Sequence, residues 1–448
     1  MLLEFTVENY RSFGSPQTLS MIPGKERAHQ ENLFNLEQRD QPVLRTAAIY
    51  GANASGKSNL IRALGCMLNL VRVSATRLNP GDPLPDVVPF RLDARYGSRA
   101  SRWELVFAHA TRLLRYSFSV TSKAVENESL LEIRPSSPDR TILERTVRGG
   151  QATWNFAAAF DESTKTLLQE RTRNNALALS AGANLNIGEF PGIFDALTNG
   201  ILAVDMGPPG PGAATLPFDW LGRLNRDSAL RIKVEALLRD ADSGIVGLNV
   251  EPARPDDAQV EALVKGLAAA TNDRVAEGFR AQLMRGGYRL STEHRGRPGD
   301  AVRFGWNDES RGTQVLTTLA VLMLDILATG KTVVVDEFGT SLHPLLARRM
   351  IELFQNPANN KANAQLIFAT HDVTLMSPAL FRRDQIWQAE KNLQGETELR
   401  SLADFEQPNR PRSTEAFARN YLAGRYGGVP NFGPTLEGRP IETGAGVC

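Results

Sequence analysis

The stretch that decides the fold is Gly51-Ala52-Asn53-Ala54-Ser55-Gly56-Lys57-Ser58. It fits the pattern G-x-x-x-x-G-K-[ST], in which glycines let backbone N–H groups turn toward a phosphate. Thr46–Tyr50 precedes it as a predicted buried strand, and Asn59–Val73 follows it with apolar residues at helical spacing. Strand, glycine loop and helix in this order predict an α/β nucleotide-binding fold.

The side chains of this loop suit a nucleoside triphosphate. Lys57 is placed to reach the β- and γ-phosphates, and the Ser58 hydroxyl is placed to ligate Mg²⁺. The helix that follows adds the positive end of its dipole. A chance match is the alternative, and the flanking strand and helix both argue against it. The predicted nucleotide-binding residues of this stretch are Gly51, Asn53, Ala54, Ser55, Gly56, Lys57, Ser58 and Asn59.

Two acids end a second predicted buried strand, Thr332–Val335. In phosphate-loop ATPases an aspartate at such a strand end holds Mg²⁺, which makes Asp336 the expected metal ligand together with Ser58. The adjacent Glu337 fits a general base that aligns water for attack on the γ-phosphate. The alternative is a strand end with two solvated acids, and the phosphate loop elsewhere in the chain favours the catalytic interpretation.

Two further polar clusters follow the same logic. His371 ends the predicted strand Gln365–Ala369, so it is expected near the γ-phosphate, because parallel strands place their carboxyl ends along one crevice. Ser310 and Gly312 open an apolar helix, where a hydroxyl and free N–H groups suit an anion. Taken alone, this turn is also an ordinary helix cap.

Composition sets the outer limits of the interpretation. The chain has 448 residues, 42% of them hydrophobic, and its 51 basic and 50 acidic residues give a net charge of +1. This usage excludes a disordered or disulfide-stapled chain and offers no globally basic surface for nucleic acid. The first residues carry no signal pattern, and the longest apolar stretch, Leu316–Leu327, falls short of the roughly 18 residues of a membrane span. We therefore expect a soluble, cytoplasmic protein without a membrane partner.

Periodicity divides the chain into four predicted segments. Residues 1–160 form an N-terminal ATPase half, in which short alternating runs between residues 103 and 156 predict an antiparallel sheet. Residues 161–290 are expected to form a compact helical insert with helices over Leu221–Asp240 and Ala258–Leu283. Residues 291–434 form the C-terminal ATPase half, and residues 435–448 a flexible tail.

The order phosphate loop, serine–glycine turn, acidic strand and histidine resembles the ABC-type ATPases that include the structural-maintenance-of-chromosomes and RecF proteins. More local stretches resemble the RloA/abortive-infection ATPases, which are relatives of the overcoming-lysogenization-defect (OLD) ATPases. The resemblance covers about residues 1–430. The stretches that carry it are Val7–Phe13, Pro89–Asp93, Ala241–Ile245, Glu309–Thr313, Ser341–Pro344, Arg383–Trp387 and Gly424–Pro430.

This resemblance implies an α/β phosphate-loop NTPase of ABC type, with an antiparallel β subdomain and a helical insert. It implies ATP and Mg²⁺ as ligands and a homodimer that sandwiches two ATP molecules. Lys57 and Glu337 of one copy would then face Ser310 and Gly312 of the other. Arg11 matches a family position near the nucleotide phosphates, although a surface arginine is the plain alternative.

The same resemblance implies a biological role. OLD proteins carry a TOPRIM nuclease module, and the 77 residues after His371 show no acids for one. The expected function is therefore an ATPase that regulates or scaffolds an effector encoded nearby, such as a nuclease, in antiphage defence, with DNA or a phage product as trigger. Two alternatives stay open: an ATP-gated scaffold without turnover, and a RecF-like DNA-binding repair ATPase.

Overall fold

The computed structural model describes residues 1–36, 42–206, 220–241, 243–253, 261–262, 264–265, 287–297, 300–406, 411–412 and 415–430. The chain divides into two compact units. Unit 1 comprises Met1–Ile201 and Ile367–Cys448, and unit 2 comprises Leu202–Leu366.

The described strands and helices are numbered in chain order. The strands are β1 (Leu2–Glu8), β2 (Gln17–Ser20), β3 (Leu33–Phe34), β4 (Val43–Leu44), β5 (Thr46–Tyr50), β6 (Ser101–His109), β7 (Arg112–Val120), β8 (Val125–Ile133), β9 (Arg140–Arg148), β10 (Gln151–Phe156), β11 (Ile201–Asp205), β12 (Ile245–Ala253), β13 (Gly287–Arg295), β14 (Ala301–Gly305), β15 (Thr332–Asp336), β16 (Gln365–Ala369), β17 (Ile386–Lys391) and β18 (Thr397–Ser401). The helices are α1 (Lys57–Val73), α2 (Glu162–Arg171), α3 (Ala178–Asn184), α4 (Phe190–Thr198), α5 (Trp220–Arg226), α6 (Ser228–Asp240), α7 (Arg311–Thr329), α8 (Pro344–Gln355) and α9 (Phe417–Leu422).

Unit 1 contains the antiparallel sheet that the alternating pattern predicts. Its seven strands run in the order β10-β9-β8-β7-β6-β1-β2. Strand β1 shows why: Leu3, Phe5 and Val7 are at most 1% exposed, while the residues between them are half-buried. The alternation therefore sets which face of this sheet packs into the core.

The phosphate loop belongs to a second, largely parallel sheet. Within unit 1 its strands run β16-β5-β17-β18, with β5 and β17 parallel and β17 and β18 antiparallel. All five residues of β5 are buried, as expected for a parallel strand covered on both faces. Helix α1 follows the loop and buries its apolar stripe, including Leu60, Leu64 and Leu68. The fold is therefore the predicted α/β architecture with an antiparallel subdomain.

Unit 2 carries the acidic strand. Strand β15 is fully buried, and its neighbour β11 leads to Met206, whose N–H donates to the Asp336 carbonyl at 3.2 Å. Helix α7 packs on α6, and Arg223 of α5 pairs with Asp325 of α7 at 3.0 Å. By length and hydropathy α7 could span a membrane. However, 61% of the 18-residue apolar window in this helix is buried inside the structure, as in a core helix.

The interval predicted as a mostly helical insert also contains strands. Helices α2 to α6 lie in residues 161–290, but so do β11, β12 and the start of β13, which pairs with β12 and β14 in a small antiparallel sheet. The pairing register of β12 with β13 shifts between Ile245 and Gly247, as at a β-bulge. This shift breaks the alternation of inward and outward residues by which sequence analysis predicts a strand. The chain passes from one unit to the other at residues 201–202 and 366–367.

The predicted helix Leu221–Asp240 is two helices. Asp227 interrupts it, because its carboxylate accepts the N–H of Leu230 at 3.0 Å and so caps α6. Of the predicted helix Ala258–Leu283, only residues 261–262 and 264–265 are described, and they are helical. The predicted tail, residues 435–448, lies outside the described residues.

Candidate nucleotide-binding site

The phosphate loop has a backbone shape that needs its glycines. Gly51 has a φ of 153° and Gly56 a φ of 114°. A Cβ on Gly51 would lie 2.3 Å from the Ala389 carbonyl oxygen, and a Cβ on Gly56 would lie 2.1 Å from the Thr397 hydroxyl oxygen. Both contacts are too short for any side chain, so strands β17 and β18 press directly on the loop.

The Lys57 ammonium lies inside the loop rather than in solvent. Its Nζ donates to the carbonyl oxygens of Gly51 at 2.7 Å and Ala52 at 3.0 Å. The side chain is 6% exposed, although a lone lysine is rarely buried. These two hydrogen bonds hold the lysine cation inside the loop. From this position the cation can reach a phosphate.

A chain of hydroxyl groups ties the loop to β18. Asn59 Nδ2 donates to Ser12 Oγ at 2.9 Å, Ser12 Oγ lies 2.9 Å from Thr397 Oγ1, and Thr397 Oγ1 donates to the Ser55 carbonyl at 2.8 Å. Because a carbonyl can only accept, the Thr397 proton goes to Ser55, and Ser12 donates to Thr397. Sequence analysis missed Thr397, since nothing in Thr-Glu-Leu-Arg-Ser marks a loop contact.

The remaining loop residues differ in exposure, because the tip of the loop is accessible and Ser55 is buried. Asn53 and Ala54 are exposed, and Ala54 has a φ of 61°. Ser55 is 3% exposed, and its hydroxyl has no hydrogen-bond partner among the described residues. A buried hydroxyl without a partner costs free energy unless a ligand forms a hydrogen bond with it. The Ser55 hydroxyl therefore indicates that a ligand binds at the loop.

A cavity of about 430 Å³ lies beside the start of α1. Arg11 lines it; the Arg11 backbone N–H donates to the Val88 carbonyl at 2.7 Å, and its Nε donates to the Tyr10 hydroxyl at 3.1 Å. Burial raises the pKa of Tyr10 to about 12, so the phenol stays protonated. The structure thus brings Arg11 close to the loop helix. The lining residues are Arg11, Ser12, Asn59, Val88, Pro89, Phe90, Arg91, Leu92 and Lys391.

The predicted histidine follows β16 in unit 1. The Thr370 N–H donates to the Ile49 carbonyl at 3.1 Å, so the residue before His371 lies beside β5, the strand that leads into the loop. His371 itself is exposed. Asp372 starts a short 3-10 turn by accepting the N–H of Thr374 at 2.9 Å. Within unit 1, therefore, the loop and His371 both follow the carboxyl ends of neighbouring strands.

The two acids of β15 lie in unit 2. Asp336 is 4% exposed, and its Oδ1 accepts the N–H of Glu337 at 3.1 Å. Glu337 is half-buried and has a φ of 54°, a left-handed conformation that a non-glycine residue adopts only when its surroundings hold it there. Such strain is typical of functional sites.

The serine–glycine turn also lies in unit 2. Ser310 is exposed and caps α7, since its Oγ accepts the N–H of Thr313 at 3.1 Å. A Cβ on Gly312 would lie 3.0 Å from the Ser341 carbonyl oxygen, so this turn packs on the Ser341–Pro344 stretch. The preceding Glu309 side chain is 6% exposed and accepts a 2.6 Å hydrogen bond from His294. The turn is thus anchored on two sides while its hydroxyl stays accessible.

These residues fit ATP and Mg²⁺ by their chemistry. The loop supplies a buried cation and a hydroxyl without a partner among the described residues, and both match a phosphate chain. The Ser58 hydroxyl and the Asp336 carboxylate are oxygen ligands of the kind that Mg²⁺ prefers. Among the described residues there is no cluster of three or more His, Cys, Asp and Glu that would suit another metal.

Comparisons with known proteins identify the family. A family model described as "AAA domain, putative AbiEii toxin, Type IV TA system" matches residues 47–192 and 219–377, well over half of the chain. No curated protein matches.

Among solved structures, 88 chains match. One is the recombination mediator protein RecF-ATPrS in the RecFOR pathway, with 11% identity, 89% of this chain and 98% of that chain covered, and a TM-score of 0.32. A likeness this weak carries no argument. The family match stands on its own and agrees with the predicted ATPase family. The chain therefore belongs to this family of AAA-type ATPases.

Proposed function

We propose that this chain binds ATP with Mg²⁺ at the phosphate loop and hydrolyses it. The observation that carries the proposal is the loop itself, with its glycine-dependent shape and with Lys57 held at the Gly51 and Ala52 carbonyls. A phosphate bound at the loop would offer the Lys57 ammonium a stronger, charge-assisted partner than these two carbonyls. The family match supports the same conclusion.

Each predicted residue has a distinct role in this proposal. Lys57 would contact the β- and γ-phosphates, and Ser58 and Asp336 would hold Mg²⁺, which would neutralise phosphate charge. Glu337 accepts a proton from the attacking water, since its carboxylate is not needed as a metal ligand. His371 donates a hydrogen bond to the γ-phosphate and stabilises the charge that develops there.

We infer further that two copies of the chain close over the nucleotide. Ser310 of a second copy would offer its hydroxyl and the first N–H groups of α7 to the γ-phosphate, and Gly312 would allow close approach. The exposure of Ser310 and the positive dipole end of a 19-residue helix support this role. A long helix whose capping hydroxyl is accessible can bind an anion that a second molecule brings.

The proposed biological role is regulation of an effector in antiphage defence in the cytoplasm. The family description refers to a toxin of a type IV toxin–antitoxin system, which supports a part in defence. The effector would be a protein encoded nearby, such as a nuclease. Capture of the product of the neighbouring gene by the tagged chain with Mg·ATP, and loss of that capture with Lys57→Ala, would support this role. Equal capture by both would contradict it.

The catalytic half of the proposal is tested by Glu337→Gln. We expect phosphate release to fall by about 10²–10⁴-fold, the usual contribution of a general base, while Mg·ATP still binds. Glu352→Gln is the matched control, because this acid lies on α8 of the same unit and pairs with Arg348 at 2.9 Å on its own helix. Equal turnover in Glu337→Gln and the parent would refute the assignment. Binding and association without turnover in the parent would instead favour an ATP-gated scaffold.

A further inference from the structure

The stretch Gly424-Arg-Tyr-Gly-Gly-Val-Pro430 has no role in the site described above, yet it packs against the phosphate loop. It follows α9 as a tight turn in which Gly427 and Gly428 have φ values of 74° and 69°. A Cβ on Gly428 would lie 3.7 Å from the Cα of Gly51, and a Cβ on Gly427 would lie 2.4 Å from a Glu390 carboxylate oxygen. The turn is therefore seated between β17 and the first glycine of the loop.

Tyr421 of α9 fixes this turn. It is 6% exposed, and its hydroxyl donates to the Gly428 carbonyl at 2.8 Å. Its ring lies 6.2 Å from the ring of Tyr50, the last residue of β5 before the loop. Burial raises the pKa of Tyr421 to about 12, so the hydroxyl remains a donor at any physiological pH. One side chain thus contacts the turn and the strand that carries the loop.

The same short helix also contacts the histidine side of the site. Helix α9 packs against the 3-10 turn Val373–Leu375, which directly follows His371 and Asp372. The Tyr50 hydroxyl has no hydrogen-bond partner among the described residues. Burial raises the pKa of Tyr50, and the nearby Asp372 carboxylate raises it further. Helix α9 therefore contacts both the strand that leads into the loop and the turn that follows His371.

We propose that Tyr421 is a positioning residue for nucleotide binding, because it holds the Gly424–Gly428 turn against Gly51. Lys57 supports the loop through the Gly51 and Ala52 carbonyls. If the lysine moves to a bound phosphate, the turn continues to restrain the start of the loop. The inference rests on the proposed ATP binding, and it places the effect on nucleotide affinity rather than on the chemical step.

The test compares Tyr421→Phe with Tyr426→Phe in the full chain. Tyr421→Phe removes only the hydroxyl, and we expect Kd and KM for Mg·ATP to rise about fivefold, as for one lost hydrogen bond, with kcat within about twofold. Tyr426→Phe is the matched control, because its hydroxyl bonds Glu415 and Asn420 in the same stretch and not the loop. Unchanged Kd in Tyr421→Phe, or an equal rise in Tyr426→Phe, would overturn the inference.

Hydrogen exchange separates this inference from the proposal on which it rests. In the Glu337→Gln chain, Mg·ATP should slow amide exchange both in residues 51–58 and in residues 417–428, and Tyr421→Phe should reduce the second effect alone. Protection of the loop without protection of residues 417–428 would refute the positioning role and leave ATP binding intact. No protection in either segment would refute both.

Discussion

Thr397 has a central role in holding the phosphate loop, although sequence analysis gives it no role. Its side chain is completely buried, and its hydroxyl joins the Ser55 carbonyl to Ser12. Thr397→Val keeps the shape and the strand propensity of the side chain and deletes only the hydroxyl. The change therefore isolates the hydrogen bonds from the packing.

The expected magnitude follows from what the substitution leaves behind. The Ser55 carbonyl loses a donor and the Ser12 hydroxyl loses an acceptor, both in a buried site, and each such loss costs about 1–3 kcal/mol. If the substitution destabilises the conformation in which the loop binds nucleotide by about 1–2 kcal/mol of this penalty, Kd for Mg·ATP rises roughly 5- to 30-fold. The rate of the chemical step should change little, since Thr397 is not placed to touch the reacting atoms.

Isothermal titration of Mg·ATP into the Glu337→Gln chain measures this effect. Thr332→Val is the matched control, because Thr332 is equally buried and donates one 2.8 Å hydrogen bond to Gln365 in unit 2. Both substitutions should lower thermal stability, but only Thr397→Val should weaken nucleotide binding. Parental affinity in Thr397→Val, or equal weakening in the two variants, would refute the account of how the loop is held.

Three further predictions concern the packing around the loop. Gly56→Ala should weaken Mg·ATP binding by more than about 100-fold in the same titration, because its Cβ would lie 2.1 Å from the β18 hydroxyl oxygen; affinity within about tenfold of the parent would contradict this. Cys66 is buried and its pKa is raised to about 12 by burial, so in a Cys448→Ser chain at pH 8 it should react with a disulfide reagent only after denaturation, whereas prompt reaction of the folded chain would contradict the burial. Arg382→Ala should lower the free energy of unfolding by about 3–5 kcal/mol in a denaturant titration, because it leaves Asp384 buried without its 2.8 Å partner; a loss below about 1 kcal/mol would show that the pair is not structural.

Local patterns in the sequence predicted the parts of the fold that depend on neighbouring residues. Strands β5 and β16 have the predicted bounds, because a short apolar run is enough to define each one. The loop is equally local, since the G-x-x-x-x-G-K-S pattern fixes its turn, although the helix begins at Lys57 rather than at the predicted Asn59. The family that these motifs indicate is the family that the comparison identifies.

The contacts that support the loop could not be predicted in this way. Thr397 and Ser55 are 342 residues apart in sequence, and the hairpin of β17 and β18 carries no pattern that distinguishes it from a surface hairpin. The Gly424–Pro430 stretch carries part of the family resemblance, but its contact with Gly51 depends on how α9 packs. Such contacts arise from tertiary packing, which overrides or conceals local preference.

The roles of Asp336, Glu337, His371 and Ser310 remain predictions from residue chemistry. The structure adds that Glu337 has a strained backbone and that Ser310 caps a long helix while staying exposed. Both features agree with function at these positions.

The most direct measurement of the central claim is the mass of the Glu337→Gln chain by analytical ultracentrifugation, with and without saturating Mg·ATP. The account predicts a monomer of 49.1 kDa without nucleotide and a dimer with it. Lys57→Ala should remain monomeric because it cannot bind the phosphates, and Ser310→Arg should bind Mg·ATP but remain monomeric because it blocks the second copy. A parent chain that binds Mg·ATP and stays monomeric would contradict the claim that two copies complete the site.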